Sequence, residues 1–506
     1  MATATDTAVP AAEPPLRERA LVPVLVFLGM VVAVISSLGA PLIPTIAGVD
    51  HVSLADAQWS LTVTMLVGAV VTPVLGRLGD GPHRRPVTLV ATAVVVLGSV
   101  LAALPLGFAA LVTGRALQGV GIGLSSLAIA TARDSLPADR SRSAVALLSI
   151  ATVAGVGLGY PLTGLIAESF GIHAAFWFGA LISALALLLA ALVLPGSRHR
   201  PAHPLDALGA VLLGLALAGL VLALSEGEDW GWASGRLLGV LAAAAVLLVL
   251  WVRHELRTAH PLVELRALRN RMVLTADVAG LVAGVGMYLL MSLVIRYVQT
   301  PTSAGYGLGE SVVVAGLVLL PFSVVSVLSS KLVPVLVRRT STAVVLPIGC
   351  AVSLVSVVLF LVARGQLWEL LLVMAIAGLG VGCTFAVMPG LIVSSVPAHE
   401  VGSAVSFNLV LRYVGYSAGS ALCGAVLQAH TAPGQLLPSD AGYRFAALIS
   451  CGVWLVVGLV TIVLPRRAAA AVEPATVDEE LMVDESIAGI AVGDDEVPVL
   501  PSRTDR

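Results

Sequence analysis

Long apolar stretches follow one another through this chain with little charge inside them, and they decide what it can become. Pro, Gly and charge clusters mark off fourteen: 21–47, 58–77, 87–106, 107–132, 143–168, 173–195, 206–225, 235–253, 273–298, 310–337, 343–363, 367–396, 402–428 and 443–465. Each has about the 20 residues that a helix needs to cross a bilayer core. In hydrocarbon the backbone must satisfy its own hydrogen bonds, so such runs fold as helices packed on helices. Charged residues make up 11% of the 506, against roughly 25% in soluble domains. A soluble globular fold is excluded, and the expected class is all-α integral membrane.

A second constraint is an internal echo. Around Ser143 the chain reads RSAVALLSIATVAGVGLGYPLTG, and around Ser403 it reads GSAVSFNLVLRYVGYSAGSALCG. In register, Gly155 falls on Gly415, Gly159 on Gly419 and Gly164 on Gly424. One residue out of that register, Gly119, Gly121 and Gly123 fall on Gly378, Gly380 and Gly382. Two similar membrane bundles facing each other across a cavity is the design of a secondary transporter. The expected layout is a cytoplasmic segment over 1–20, a six-helix bundle over 21–195, and two inserted helices with their loops over 196–270. A second six-helix bundle follows over 271–465, then a disordered acidic cytoplasmic tail over 466–506.

The net charge of −2 hides a segregation: residues 468–506 hold ten acids against Arg503 and Arg506, leaving 26 basic and 20 acidic residues in the body. With the N-terminus inside, the outer loops and their edges carry Arg236, Arg296, Arg364 and Arg444. The inner side gathers Arg77, Arg84, Arg85, Arg133, Arg140, Arg142 and further bases through Arg339. Basic residues favour the cytoplasmic face, so both termini are expected there, in a multi-pass protein of the plasma (inner) membrane. The first stretch exceeds a signal-peptide core and is read as an uncleaved helix. Cys350, Cys383, Cys423 and Cys451 all fall in apolar spans and read as packing residues. No HExxH or phosphate-loop motif is present. The expectation is a non-enzyme with no cofactor, no metal and no nucleic-acid partner.

Polar residues inside or beside the spans are the candidates for function. The loop after the second span reads Gly76-Arg77-Leu78-Gly79-Asp80-Gly81-Pro82-His83-Arg84-Arg85, a tight turn able to exchange ion pairs. Its bland reading is a basic cluster that only sets topology. Lys331, Leu332, Arg338 and Arg339 repeat it in the second half. Arg115 stands in the fourth span, where a cation costs about 2.5–3.5 kcal/mol on insertion scales. It therefore faces a cavity, or serves as a structural arginine bonded to backbone carbonyls. Arg412 lies in the inner half of the thirteenth span, within snorkelling reach of the cytoplasm. In the fifth span Gly155, Gly157, Gly159, Pro161 and Gly164 mark close helix packing and a kink.

On these residues the chain resembles the major facilitator superfamily. Gly76, Asp80, Arg84 and Arg85 match its signature loop, G-x-x-x-D-R/K-x-G-R/K-R/K, with Gly81 replacing a base and His83 a glycine. The resemblance implies a cytoplasmic gating loop that latches the two halves during alternating access. Arg115, Gln118 and Gly119 match the helix-4 motif R-x-x-Q-G, whose arginine the family implicates in proton coupling. Pro161 and Gly164 match the helix-5 antiporter motif of exporters, although Tyr160 and Leu165 replace two of its glycines. Gln58-Trp59, Asp206 and the run His260-Pro261-Leu262-Val263-Glu264-Leu265 are similar to the fourteen-helix drug–proton antiporter branch.

The first span departs from that branch: it reads Ser36-Ser37-Leu38-Gly39-Ala40-Pro41 and lacks the acid often found there. Exporters of lipophilic cations need a buried carboxylate facing the cation. The expected substrate is thus a small hydrophobic molecule, neutral or anionic, with Arg115 as the nearest fixed charge. Asp277 and Asp134 are the candidate proton carriers, or else simple helix-end charges. The reading is a monomeric proton-coupled exporter in the lipid bilayer. A proton-coupled uptake symporter stands as its alternative, and a transport-dead sensor or scaffold as the reading from another class.

Overall fold

The computed structural model describes residues 16–38, 42–52, 54–196, 205–397, 400–432 and 437–471. The acidic tail beyond 471, and most of the segment before α1, lie outside these residues. Among the described residues there are helices and connecting turns and no strand. The chain opens with α1 (Leu16–Ser37), a short α2 (Ile43–Val49), α3 (Leu54–Asp80) and α4 (Arg84–Ala103). α5 (Phe108–Gly119) runs through a 3-10 turn (Val120–Gly123) into α6 (Leu124–Ser135). Next come α7 (Ala138–Phe170) and α8 (Ile172–Val193), then α9 (Ala207–Trp230) and α10 (Gly235–Glu255). The last group is α11 (Arg271–Gln299), α12 (Val312–Val318), α13 (Leu320–Arg339), α14 (Thr342–Val362), α15 (Leu367–Ser395), α16 (Val401–Ala429) and α17 (Asp440–Ala471).

Among the described residues ten helices are long and apolar enough to cross a membrane, or eleven if the bent pair over 313–339 is one span. The fourteen expected stretches are approached and not reached on these criteria. The first is the clearest correction. It is helical only to Ser37, and the helix resumes at Ile43 with Pro44 in its first turn, because proline cannot continue a helix but suits its start. The fourth stretch is interrupted by the 3-10 turn at Val120–Gly123, where glycines fall at 119, 121 and 123. The tenth bends by 45° around Ser330. Pro334 follows four residues later and has no N–H for the carbonyl at 330, which is the usual cause of such a kink.

Local signals set the helix ends. Ser234 accepts from the Leu237 N–H at 3.2 Å, Asp206 from the Gly209 N–H at 2.9 Å and Asn270 from the Met272 N–H at 2.9 Å. Each satisfies a donor that the first helical turn leaves unpaired. Gly171, at φ 84°, turns the chain between α7 and α8, a backbone that a side chain would strain.

The glycine echo in the sequence is also an echo in packing. Gly119 abuts the backbone of α3 at Thr64, and its counterpart Gly378 abuts the backbone of α13 at Phe322. Gly155 lies against Met30 and Ala33 of α1, while Gly415 lies against Leu281 and Gly284 of α11. At each position a Cβ would collide with the neighbouring helix, so small residues fix these contacts by letting backbones approach. Between the two groups, α3 packs on α16 and α7 on α13. α9 lies across the α3–α16 seam, touching both helices. Their shared core includes Ala69, Leu213, Leu217, Trp251, Val263 and Val410. At the foot of the α9–α10 hairpin His254 Nε2 meets the Asp206 carboxylate at 2.8 Å.

Candidate functional site

At the arginine-rich end, the last turn of α3, which takes up Gly76 to Asp80 of the expected loop, fastens one helical group to the other. Asp80 is 6% exposed and accepts hydrogen bonds from the backbone N–H groups of Gly402 (2.6 Å) and Ser403 (2.8 Å). A carboxylate on the first turn of α16 meets both the unpaired donors and the positive end of the helix dipole. Gly76 allows the approach: a Cβ there would strike the Ser406 side chain and come within 2.8 Å of the Gly402 carbonyl. Arg84 braces this turn through its Nε to the Gly79 carbonyl (2.6 Å) and an ion pair with Asp134 at 2.5 Å. Arg85 Nη2 donates to the Ala191 carbonyl of α8 at 2.9 Å. The structure thus puts Asp134 with this latch and away from Asp277.

Arg115 is 0% exposed. Its Nε donates to the Ser60 carbonyl of α3 at 3.0 Å, and Nη1 to the Ile35 carbonyl at 2.8 Å and to Gln118 Oε1 at 2.7 Å. Nη2 reaches the Ser36 carbonyl at 3.3 Å. Gln118 in turn donates to Ser99 Oγ of α4 at 3.0 Å. The guanidinium therefore sits on the carbonyl end of α1, where the helix dipole favours a cation. Two side chains of α5 thus tie four helices: Arg115 reaches α1 and α3, and Gln118 reaches α4. All these acceptors are neutral.

Arg412 on α16 has different company. It is 1% exposed, and its Nε and Nη2 both donate to a single hydroxyl, Tyr416 Oη, at 3.3 and 3.1 Å. Its Cζ lies 4.0 Å from the Phe385 ring centroid of α15, a cation–π contact. Tyr416 stacks on Tyr288 with centroids 4.6 Å apart and meets Tyr413 edge-on at 5.4 Å. A guanidinium has five N–H donors, and among the described residues no carboxylate pairs with this one. One turn back, Asn408 Nδ2 donates to Asp277 Oδ1 and to the Ala276 carbonyl of α11, each at 3.0 Å. Gly280 and Gly284 of α11 leave the space: Cβ atoms there would lie 3.2 Å from Arg412 Cγ and 2.9 Å from its carbonyl. Asp277, Asn408, Arg412 and Tyr416 thus form one polar row between α11 and α16.

Gly155 and Gly159 are buried in α7, and a Cβ at Gly164 would lie 3.9 Å from the Val313 side chain of α12. Pro161 falls within the helix, but its side chain is outside the described residues. Sequence reasoning missed Asn408, Tyr416 and Phe385. The spacing of Asn408, Arg412 and Tyr416 at i, i+4 and i+8 on one helix face was the available signal.

A model of the Major Facilitator Superfamily matches residues 25–209 and again 205–420, and the chain belongs to that superfamily. It is similar to an uncharacterized MFS-type transporter of Mycobacterium tuberculosis, with 31% identity over 437 residues, covering 84% of this chain and 62% of the relative. The chain therefore spans less than two thirds of that relative's length. It is 27% identical over 412 residues to the tetracenomycin C resistance and export protein of Streptomyces glaucescens, covering 79% of this chain and 74% of that one. The multidrug resistance protein Stp of M. tuberculosis is 27% identical over 386 residues, covering 76% and 70% of the two chains. Among solved structures, the human organic anion transporter MFSD10 (TETRAN) superposes with a TM-score of 0.61 over 88% of this chain and all of that one, at 17% identity. That likeness concerns the fold.

Proposed function

We propose that this chain is a proton-coupled exporter of small hydrophobic compounds, neutral or anionic, of the fourteen-helix antiporter type. It works as a monomer in the plasma membrane, with both termini and the arginine-rich end in the cytoplasm. The observation that carries the reading is the buried row between α11 and α16, with one carboxylate (Asp277) and, on the next turn, one guanidinium (Arg412) that has no carboxylate partner among the described residues. An anionic or strongly dipolar solute between the two groups of helices meets Arg412, whose charge is otherwise met by one hydroxyl and aromatic faces. Asp277 carries the coupling proton, and its charge state biases which side of the transporter is open. The Asp80 latch holds the cytoplasmic side shut in the conformation seen here. Relatives named for multidrug resistance and tetracenomycin C export point the same way.

The test is proton movement in proteoliposomes carrying an imposed pH gradient. Tetracenomycin C and matched anionic, neutral and cationic hydrophobes are added in turn. Collapse of the gradient by anionic or neutral compounds, absent in Asp277→Asn, supports the reading. A response confined to cations, or one that Asp277→Asn leaves intact, contradicts it.

A further inference from the structure

Asp277 lines a small pocket that meets the latch at one residue, Ser403. The acid is 3% exposed and about two turns into α11, roughly 9 Å along the helix. Glu264 and Ala267 from the turn preceding α11, and Glu400, Ser403 and Ala404 at the start of α16, line the same pocket. Asp277 gives Oδ1 to Asn408, and its Oδ2 makes no hydrogen bond among the described residues. Of the acids in the pocket lining, Glu264 and Glu400 are partly exposed and Asp277 is buried. The two glutamates are the titratable groups facing Asp277 there. Arg412 lies one turn beyond Asn408 on α16, and Asp80 lies behind the Ser403 N–H.

α16 presents two faces here, which meet at Ser403. Residues 400, 403, 404 and 407 form one helix face toward α11 and the pocket. Gly402 and Ser406 lie on another face, against Gly76 of α3, where Asp80 seals the gap between the helical groups. The pocket's roof comes from the segment that joins the α9–α10 hairpin to α11. Its residues Leu262 and Val263 are buried and anchored in the core shared with α9 and α16.

We infer that this pocket is a proton port: Asp277 exchanges its proton with the cytoplasm past Glu264 and Glu400 while the Asp80 latch stays shut. The inference rests on the orientation and coupling proposed above. The O–H bond of the Asp277 carboxylic acid breaks, the proton passes to pocket water, and the carboxylate remains on Asn408. The wall is mainly apolar, and the polar groups that can hold such water are Glu264, Glu400 and Ser403 beside the buried acid. The α9–α10 hairpin then has a function of its own, because its C-terminal linker roofs the port.

The experiment is chemical labelling of the full-length protein in inside-out membrane vesicles. A water-soluble carbodiimide with an amine nucleophile is applied, and the peptide carrying Asp277 is read by mass spectrometry. Wild type is expected to be modified at Asp277 from this face. Ala404→Cys carrying a bulky membrane-impermeant maleimide should lose that modification by roughly tenfold, since access then requires local opening. The same variant without maleimide controls for folding. Asp80→Asn, which loosens the latch, should leave the labelling unchanged. Modification of Glu264 and Glu400 without Asp277, labelling that survives the maleimide, or labelling that rises about tenfold in Asp80→Asn overturns the port. Each result is read without transport. Failure of the export reading is recognised separately, as wild-type proteoliposomes in which tetracenomycin C moves no protons.

Discussion

Arg115 and Arg412 are both sealed inside apolar helices, at 0% and 1% exposure, yet their surroundings differ in kind. Arg115 spends its donors on three backbone carbonyls and an amide oxygen, and with Gln118 it ties α5 to α1, α3 and α4. Arg412 has one hydroxyl and an aromatic face. A buried cation whose donors are filled is a structural fastener. One whose donors are not filled retains the capacity to bind something else, because desolvation of its charge has been only partly offset. The comparison moves the solute-facing role from the N-terminal arginine, where the sequence motif suggests it, to the C-terminal one.

Removing Arg115 should therefore give the largest loss of stability. Arg115→Met removes four charge-assisted hydrogen bonds, and at about 1.5 kcal/mol or more for each such bond the loss is at least about 3 kcal/mol. The expected outcome is poor accumulation and a much lowered Tm in detergent, and Arg115→Lys rescues little because one ammonium cannot span the same acceptors. Arg412→Met should be close to neutral in Tm, since an uncompensated buried charge is removed. Its transport of anionic compounds should fall by about 10- to 100-fold, the scale of one charged contact. If the two variants exchange these phenotypes, the assignment of roles is reversed.

The latch gives an intermediate effect. Asp80→Asn weakens two charge-assisted bonds, by about 1.5–3 kcal/mol, and shifts the population toward the conformation open at that end. A cysteine placed at Ser406 should then react faster with a membrane-impermeant thiol reagent than in the Asp80 background. Gly76→Ala should act in the same direction, since its methyl has no room beside Ser406. The smallest effect is expected for Asn408→Ala. It leaves the Asp277 carboxyl without its hydrogen bond, worth about 1 kcal/mol, and should alter the pH profile of transport more than the maximal rate.

Much of this arrangement could be read from the residues alone. Apolar spans gave the helical class, and paired glycines identified which helices approach closely, because a missing Cβ leaves the same mark wherever it occurs. Asp80 was legible as part of a switchable loop. That it caps α16 was not, since Gly402 and Ser403 lie more than three hundred residues away and offer only backbone N–H groups. Arg115 shows the complementary difficulty. Its motif marks it as special, but backbone carbonyls leave no trace in a sequence, so a fastener and a binding group look alike. The broken first stretch was signalled by Pro41 and Pro44. Hydropathy carries straight through such a break, because leucines and isoleucines flank the prolines on both sides.

The most direct measurement is charge selectivity in proteoliposomes containing Arg412→Gln, with Tm recorded on the same preparation. Uptake of matched anionic and neutral hydrophobes into inside-out proteoliposomes is compared with wild type. The account predicts an unchanged Tm and a selective loss of the anionic compound while the neutral one is still moved. Equal loss of both compounds, or retention of both, would contradict the assignment of Arg412 as the charge that meets the solute.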